Sequence, residues 1–365
     1  MNFDQFRTPG EGIEKLKHLI AKTADRDITI MEVCGTHTMA LFRHGIRDMI
    51  PTGIKLLSGP GCPVCVTENS VIDKMIWLAG QSDVIVATFG DMLRVPGSYS
   101  SLNLQKANGA NVQVVYSPLL ALELAKKHPD KKVVFIAVGF ETTIPAIAVA
   151  LKSAKQRGIN NFFVLCAHKT VPIALEAIAG MDNNVDGLLL PGHVSSIIGA
   201  NAYRFLAEQY SLPGVIAGFE PLDLLKAIYM IVDMITSSKI AIVNAYERVV
   251  SDTGNIKAQQ VIAQVFEPCD ASWRGMGTIA GSGLKLNEDY VAFDIESIMR
   301  IDIAPPIEPA GCLCGQILCG TKTPPDCAHF ASKCVPENPV GPCMVSTEGT
   351  CAAYYKYRNI GGSDS

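Results

Sequence analysis

The chain has 365 residues, of which 48% are hydrophobic and 18% charged, and its formal net charge is −4. That length allows about two or three domains around a well-buried core, and the composition excludes disorder over most of it. The basic residues are scattered, which excludes the positive footprint of a nucleic-acid binder, and no apolar stretch is long enough to span a bilayer.

The opening MNFDQFRTPGEG carries no apolar leader, so a cytoplasmic location is expected. Reducing cytosol disfavours structural disulfides, so the twelve cysteines point to metal binding or thiol redox chemistry. Three lie in the first 65 residues, Cys166 and Cys269 stand alone, and seven crowd between Cys312 and Cys351.

Short β-branched runs alternate with helical stretches along the chain. They are ITIMEV (28–33), IKLLSG (54–59), DVIVATF (83–89), VQVVY (112–116), KVVFIAV (132–138), NFFVLC (161–166), GLLLPG (187–192) and GVIAGF (214–219). Strands separated by helices predict an α/β fold with mainly parallel sheets covered on both faces. The break at Tyr116-Ser117-Pro118 and the long helix after Pro221 divide it into two Rossmann-like lobes. One covers 1–116 and is completed by 221–255; the other covers 117–220. Beyond about residue 255 the rhythm stops. From Ile303 the chain is rich in Pro, Gly and Cys, so 256–365 is expected to be a small Cys-rich C-terminal module, folded around a metal cluster rather than on apolar burial alone.

The unusual residues recur just past strand ends: Cys34, Cys62, Asp91, Glu141, His168, His193 and Glu220. That is where open α/β sheets place their ligand crevice. Glu32-Val33-Cys34-Gly35-Thr36-His37-Thr38 takes a strand into a helix, with Thr36 as the expected N-cap and Cys34 where a helix start favours the metal-binding thiolate. The alternative is a cysteine buried under a turn. Gly59-Pro60-Gly61-Cys62-Pro63-Val64-Cys65 sets a C-x-x-C between strand and helix, the context of a redox dithiol; half a zinc site is the alternative, but no second C-x-x-C supplies the other ligands. Asp91 in TFGDM could orient a ligand or accept a proton, or cap a helix. Gly139-Phe140-Glu141-Thr142-Thr143 is like a small anion-holding turn, without the glycines and lysine of a P-loop. His193 in PGHVS is a candidate proton carrier or iron-site neighbour, His168 a weaker one; for either alone a structural role is the alternative.

The tail spaces its cysteines C-x-C-x4-C-x7-C-x6-C-x8-C-x7-C. A cubane needs four thiolates, but this spacing does not match the bacterial ferredoxin run, so pattern fixes neither cluster nor ligands, and zinc is the other metal that thiolates readily hold.

Taken together, CGTHT, GPGCPVC, TFGDM, GFETT, PGHVSS and PENPVGPCMVSTEGTCAAYYKY resemble the HypD family of hydrogenase-maturation factors over nearly the whole chain. The resemblance implies that iron carrying cyanide and carbon monoxide ligands is assembled between this chain and a HypC-type chaperone, with cyanide from a HypE-type donor, for the [NiFe]-hydrogenase large subunit. It implies Cys34 as the iron-holding thiolate, Cys62 and Cys65 as the redox pair, and Asp91, His193 and Glu348 as polar residues of the cleft. It also implies a [4Fe-4S] cluster on Cys312, Cys327, Cys334 and Cys351, with Cys314 and Cys343 as a disulfide beside it. Cys319 is extra relative to the family pattern, which leaves the choice among Cys312, Cys314 and Cys319 open. The contrasting expectation is a stand-alone iron-sulfur disulfide reductase without iron at Cys34.

Overall fold

The computed structural model describes residues 20–21, 26–181 and 184–357. The lobe expected from residue 1 and the module expected to residue 365 therefore extend past the described residues, and the N-terminal segment on which the expectation of no leader rested lies outside them. All eight expected strands form: β1 (Ile28–Glu32), β2 (Ile54–Ser58), β3 (Val84–Thr88), β4 (Val112–Val114), β5 (Lys132–Gly139), β6 (Phe162–Lys169), β7 (Gly187–Pro191) and β8 (Gly214–Ala217). Three more follow, β9 (Ile242–Asn244), β10 (Phe266–Trp273) and β11 (Gly277–Leu286).

They build two sheets. One is parallel throughout, in the order β2-β1-β7-β8-β9, with Ile30 opposite Leu56 and Met31 opposite Leu188. The other runs β10-β11-β6-β5-β3-β4; its β6-β5-β3-β4 part is parallel, and the β10-β11 hairpin adds antiparallel to β6. The strands do not divide at residue 116 as expected. β3 and β4 pair with β5 rather than with β1 and β2, and β7 and β8 join β1. A crossover helix can seat the next strand on either sheet, and consecutive strands neighbour one another only about two-thirds of the time. The expected module also starts too early, since β10 and β11 belong to the second sheet.

Period-two alternation explains the layering. On β1, Ile28 and Ile30 face an outer core with Leu224, Ile228 and Ile231 of the helix Pro221–Thr236, which packs on the first sheet. Val133 and Phe135 of β5 face a second outer core under the helix Ile144–Arg157. Met31 and Leu188 from one sheet, and Val86, Val134 and Ile136 from the other, share a central core that also takes in Cys62, Cys65, Cys314 and Cys343. Among the described residues no helix is long and apolar enough to cross a membrane.

Candidate functional site

Cys34 follows β1, and the turn that presents it is anchored by a buried charge. Glu32 is fully buried, forms an ion pair with Arg47, and accepts hydrogen bonds from Thr38 Oγ1 at 2.6 Å and Ser58 Oγ at 3.3 Å. A buried carboxylate is tolerated only with such partners. Arg47 also donates to the Leu56 carbonyl at 3.0 Å and lies over the rings of Phe42 and Tyr354, at 4.5 and 5.5 Å, so it ties the helix Gly35–Arg43 to the helix Thr350–Tyr357.

Two glycines let the chain close round Cys34. A Cβ at Gly61 would stand 2.5 Å from the Cys34 Cα, and one at Gly35 would stand 2.3 Å from the Glu348 carbonyl oxygen. The C-x-x-C loop and the Glu348 segment thus lie against Cys34. The N-cap of the Gly35 helix is Cys34 itself, with no side-chain cap bond; Thr36, expected in that role, instead donates its hydroxyl to Glu348 Oε1 at 2.7 Å. The expected thiolate is not favoured either. Burial, reinforced by the charge of Glu348, pushes the Cys34 thiol up to about 11 against the hydrogen bonds of the helix start. Desolvation outweighs the helix end because the sulfur has almost no contact with water.

Cys62 and Cys65 occupy the turn after β2, both buried, and the Cys65 N–H donates to Cys62 Sγ at 3.2 Å. They are inequivalent. Burial and the neighbouring Cys65 hold Cys62 well above the usual thiol range. Burial opposes ionisation of Cys65 too, but hydrogen bonds from Cys343 and Cys62 prevail, with Arg274 adding positive charge, and bring it down to about 6. Arg274, at the tip of the β10-β11 hairpin, donates to the Thr67 carbonyl at 2.7 Å and to Asn69 Oδ1 at 2.8 Å, which fastens the second sheet to the C-x-x-C turn.

Six tail cysteines, Cys312, Cys314, Cys327, Cys334, Cys343 and Cys351, line one pocket with Ile317, Phe330 and Met344, and no carboxylate faces it. Cys319 lies outside, its thiol directed at the Gly275 carbonyl at 3.5 Å. All twelve thiols are free; the pair expected as a disulfide, Cys314 and Cys343, has its sulfurs 2.8 Å apart. Cys343 also hydrogen-bonds Cys351 and Cys65, so a line of sulfur runs from the tail pocket to the C-x-x-C. The six thiols stand on mostly apolar walls with His329 among them, soft donors of the kind an iron-sulfur cluster takes, and the Val340 N–H donates to Cys334 Sγ at 3.3 Å. Among the described residues no group of three or more His, Cys, Asp or Glu is gathered closely enough to hold a single ion.

Glu348 is the hub of the cleft. Its charge reaches Cys34, Cys65 and His193, and its N–H donates to Ser346 Oγ at 3.2 Å. Ser346 in turn donates to Asp91 Oδ2 at 3.3 Å and hydrogen-bonds Cys62. His193 stacks on Phe219 at 4.0 Å, and His37 packs on the same ring at 4.8 Å. His37 Nε2 lies 3.2 and 3.1 Å from the carbonyls of Ala217 and Gly218, and burial lowers its pKa to about 4, so it holds the neutral form that can donate there. Cys34, Cys62, Asp91, His193 and Glu348 are therefore brought together. Glu220 lines an adjoining groove with Thr36 and Phe219. Glu141 and His168 take no part in the network: Glu141 Oε1 accepts from the Val171 N–H at 2.9 Å, and His168 stands edge-on to Phe266. Sequence reasoning missed Ser346, His37, Glu32, Arg47 and Arg274; His37 sits inside the CGTHT motif, which was its available signal.

The family described as "Hydrogenase formation hypA family", named HypD, matches residues 11–358. The chain is 43% identical to hydrogenase maturation factor HypD of Escherichia coli K12, covering 97% of each chain. It is 45% identical to the Rhodobacter capsulatus HypD, over 94% of this chain and 93% of that one, and 43% identical to the Azotobacter vinelandii HypD, over 97% and 96%. The chain belongs to the HypD family of hydrogenase maturation factors. Membership in HypD joins the motifs into one account, since each of CGTHT, GPGCPVC, TFGDM, PGHVSS and the tail contributes a residue to the same cleft or to the sulfur line behind it.

Proposed function

We propose that this protein is a cytoplasmic scaffold on which the Fe(CN)2CO group of [NiFe]-hydrogenase is put together, with a HypC-type chaperone and a HypE-type cyanide donor as partners. The observation that carries the reading is the convergence of Cys34 with the C-x-x-C and with Glu348, backed by sulfurs leading to the tail pocket. Cys34 is the soft anchor for the incoming iron, which is cargo. Its high thiol pKa means that the metal must displace the proton.

Cyanide borne on a partner's sulfur as a thiocyanate leaves as CN⁻ only if two electrons return that sulfur to a thiolate. The Cys62/Cys65 dithiol can supply both, becoming a disulfide as two protons leave. Cys312, Cys327, Cys334 and Cys351 would hold a [4Fe-4S] cluster, which supplies single electrons when bound. Cys343 and Cys314 form the connection between that pocket and Cys65. Burial of both C-x-x-C thiols supports this internal route over a stand-alone disulfide reductase, whose attacking thiol must meet an outside disulfide.

The test is anaerobic co-purification with a HypC-type partner followed by infrared spectroscopy. Wild-type protein is expected to show bands of metal-bound cyanide and carbon monoxide, and Cys34→Ala to lose them while keeping its tail iron and sulfide. Full-intensity bands in Cys34→Ala would overturn the assignment; disulfide-reductase activity unaffected by that change, with no bands in either protein, would favour the reductase.

A further inference from the structure

The redox step assigned to Cys62 and Cys65 leaves one proton in need of an exit. Cys65, brought down to about 6, is a thiolate at neutral pH, whereas Cys62 keeps its proton. As the pair closes, the S–H bond of Cys62 breaks, the S–S bond forms, and the two electrons pass to the partner's thiocyanate sulfur, which parts from CN⁻ as a thiolate. One proton remains to be carried away. Only 3% of Cys62 is exposed, within the central core, so bulk water is not at the sulfur to collect it.

Two oxygen-bearing side chains lead from that sulfur to the surface. Cys62 hydrogen-bonds Ser346, itself buried, in the loop after the turn Pro342–Met344. The Ser346 hydroxyl donates to Asp91 Oδ2 at 3.3 Å and accepts the Glu348 N–H at 3.2 Å. Asp91 is exposed, on the short helix Gly90–Arg94 that follows β3. The turn after β2, the end of β3 and the tail thus each supply one member of the line.

A hydroxyl has one proton to give and two lone pairs. With its proton committed to Asp91 and one lone pair to the Glu348 N–H, Ser346 has the second lone pair for the Cys62 S–H. The other hydrogen-bonding neighbour of that thiol, the Cys65 sulfur, cannot keep the proton, because it becomes the partner in the S–S bond. Ser346 takes the Cys62 proton as it hands its own to Asp91, and the exposed carboxyl releases it to water. The serine ends neutral, so no charge is stranded in the core. We propose that Ser346 and Asp91 form the proton exit of the C-x-x-C pair, Ser346 passing the proton on and Asp91 delivering it to solvent. The proposal rests on the reading of Cys62 and Cys65 as the redox dithiol.

The test is hydrogen exchange at the thiol itself. Full-length, cluster-loaded, anaerobically reduced protein is transferred to deuterium oxide, and conversion of S–H to S–D at Cys62 is followed by infrared spectroscopy, with Cys62→Ser identifying its band. Ser346→Ala and Asp91→Asn are each expected to slow that exchange by about a hundredfold, the usual worth of a positioned proton-transfer group. Ser346→Thr keeps the hydroxyl and should stay near the wild-type rate, and Cys166, on β6 and outside this network, should exchange alike in all four proteins. Exchange at the wild-type rate or faster in folded Asp91→Asn, or slowing shared equally by Cys166, would overturn the proposal. Asp91→Asn alters an exposed side chain, so it decides the matter even if Ser346→Ala fails to fold. The exchange is read in the resting dithiol, so its failure is distinct from failure of the scaffold reading, which shows instead as missing cyanide and carbon monoxide bands.

Discussion

Replacing Arg47 with Met tests whether the anchor beneath Cys34 is a charge pair or merely a packed corner. The substitution keeps much of the side-chain volume against Phe42 and Tyr354 but leaves Glu32 buried with only two hydroxyl partners. Removing one member of a buried pair costs about 3–5 kcal/mol, mostly through the charge left behind. The lost bond to the Leu56 carbonyl and the ring contacts lie inside that range rather than adding to it, because they share one side chain. At roughly 2.1 cal/mol/K per residue, 365 residues give an unfolding entropy near 0.8 kcal/mol/K, so the melting temperature should fall by about 4–7 °C. Neutralising Glu32 as well, in Glu32→Gln/Arg47→Met, removes the stranded charge and should recover more than half of the loss. The assay is anaerobic thermal unfolding by circular dichroism on all four members of the cycle. A drop under about 1 °C in Arg47→Met, or a double variant no more stable than the single one, would refute the reasoning.

Gly61→Ala places a Cβ 2.5 Å from the Cys34 Cα, backbone against backbone, so a loss of several kcal/mol or insoluble protein is expected, and a wild-type melting curve would contradict the close approach. Cys319→Ser should leave iron and sulfide content unchanged while Cys327→Ser lowers both, since only the latter lines the tail pocket; iron and sulfide analysis decides it. His37 has its folded pKa depressed to about 4, so it contributes stability that is complete above its unfolded value of 6.5 and is lost as pH falls through 4, on the order of 3 kcal/mol. Glu141, raised by burial to about 7, acts oppositely: its contribution is complete below 4.5 and is lost as pH rises through 7. Unfolding midpoints against pH for His37→Gln and wild type should therefore converge below pH 4 and separate above it, and parallel curves would count against the assignment.

The eight strands read from apolar runs were legible because each is flanked by Gly, Pro or polar residues and ends at a helix. β9 escaped because three half-buried residues leave no periodic signal, and β10, FEPCDASW, because Pro268 and two acidic residues mask its alternation. Which sheet each strand joins was not written locally; it depends on contacts between Met31, Leu188, Val86 and Val134 that only the folded chain makes. Cys34, Cys62, Asp91 and His193 could be found because strand ends converge, whatever the sheet. Ser346 and Arg274 could not, since a serine in a loop and one arginine at a hairpin tip become functional neighbours only when distant segments meet. The thiolate expected at Cys34 failed for a related reason: a helix start is visible in sequence, whereas the desolvation that overrides it is not.

The way the strands are dealt between the sheets bears on how the protein can come apart. One sheet draws on residues 28–58 and 187–244, the other on 84–169 and 266–286, so no single cut yields two fragments that each own a complete sheet. Cleavage near residue 116 would separate β3 and β4 from β5 and strip β1 of β7, exposing raw edges in both products. Proteolysis should therefore destroy the molecule as a whole rather than release a surviving lobe, and recombined halves would have to find one another before either could finish folding.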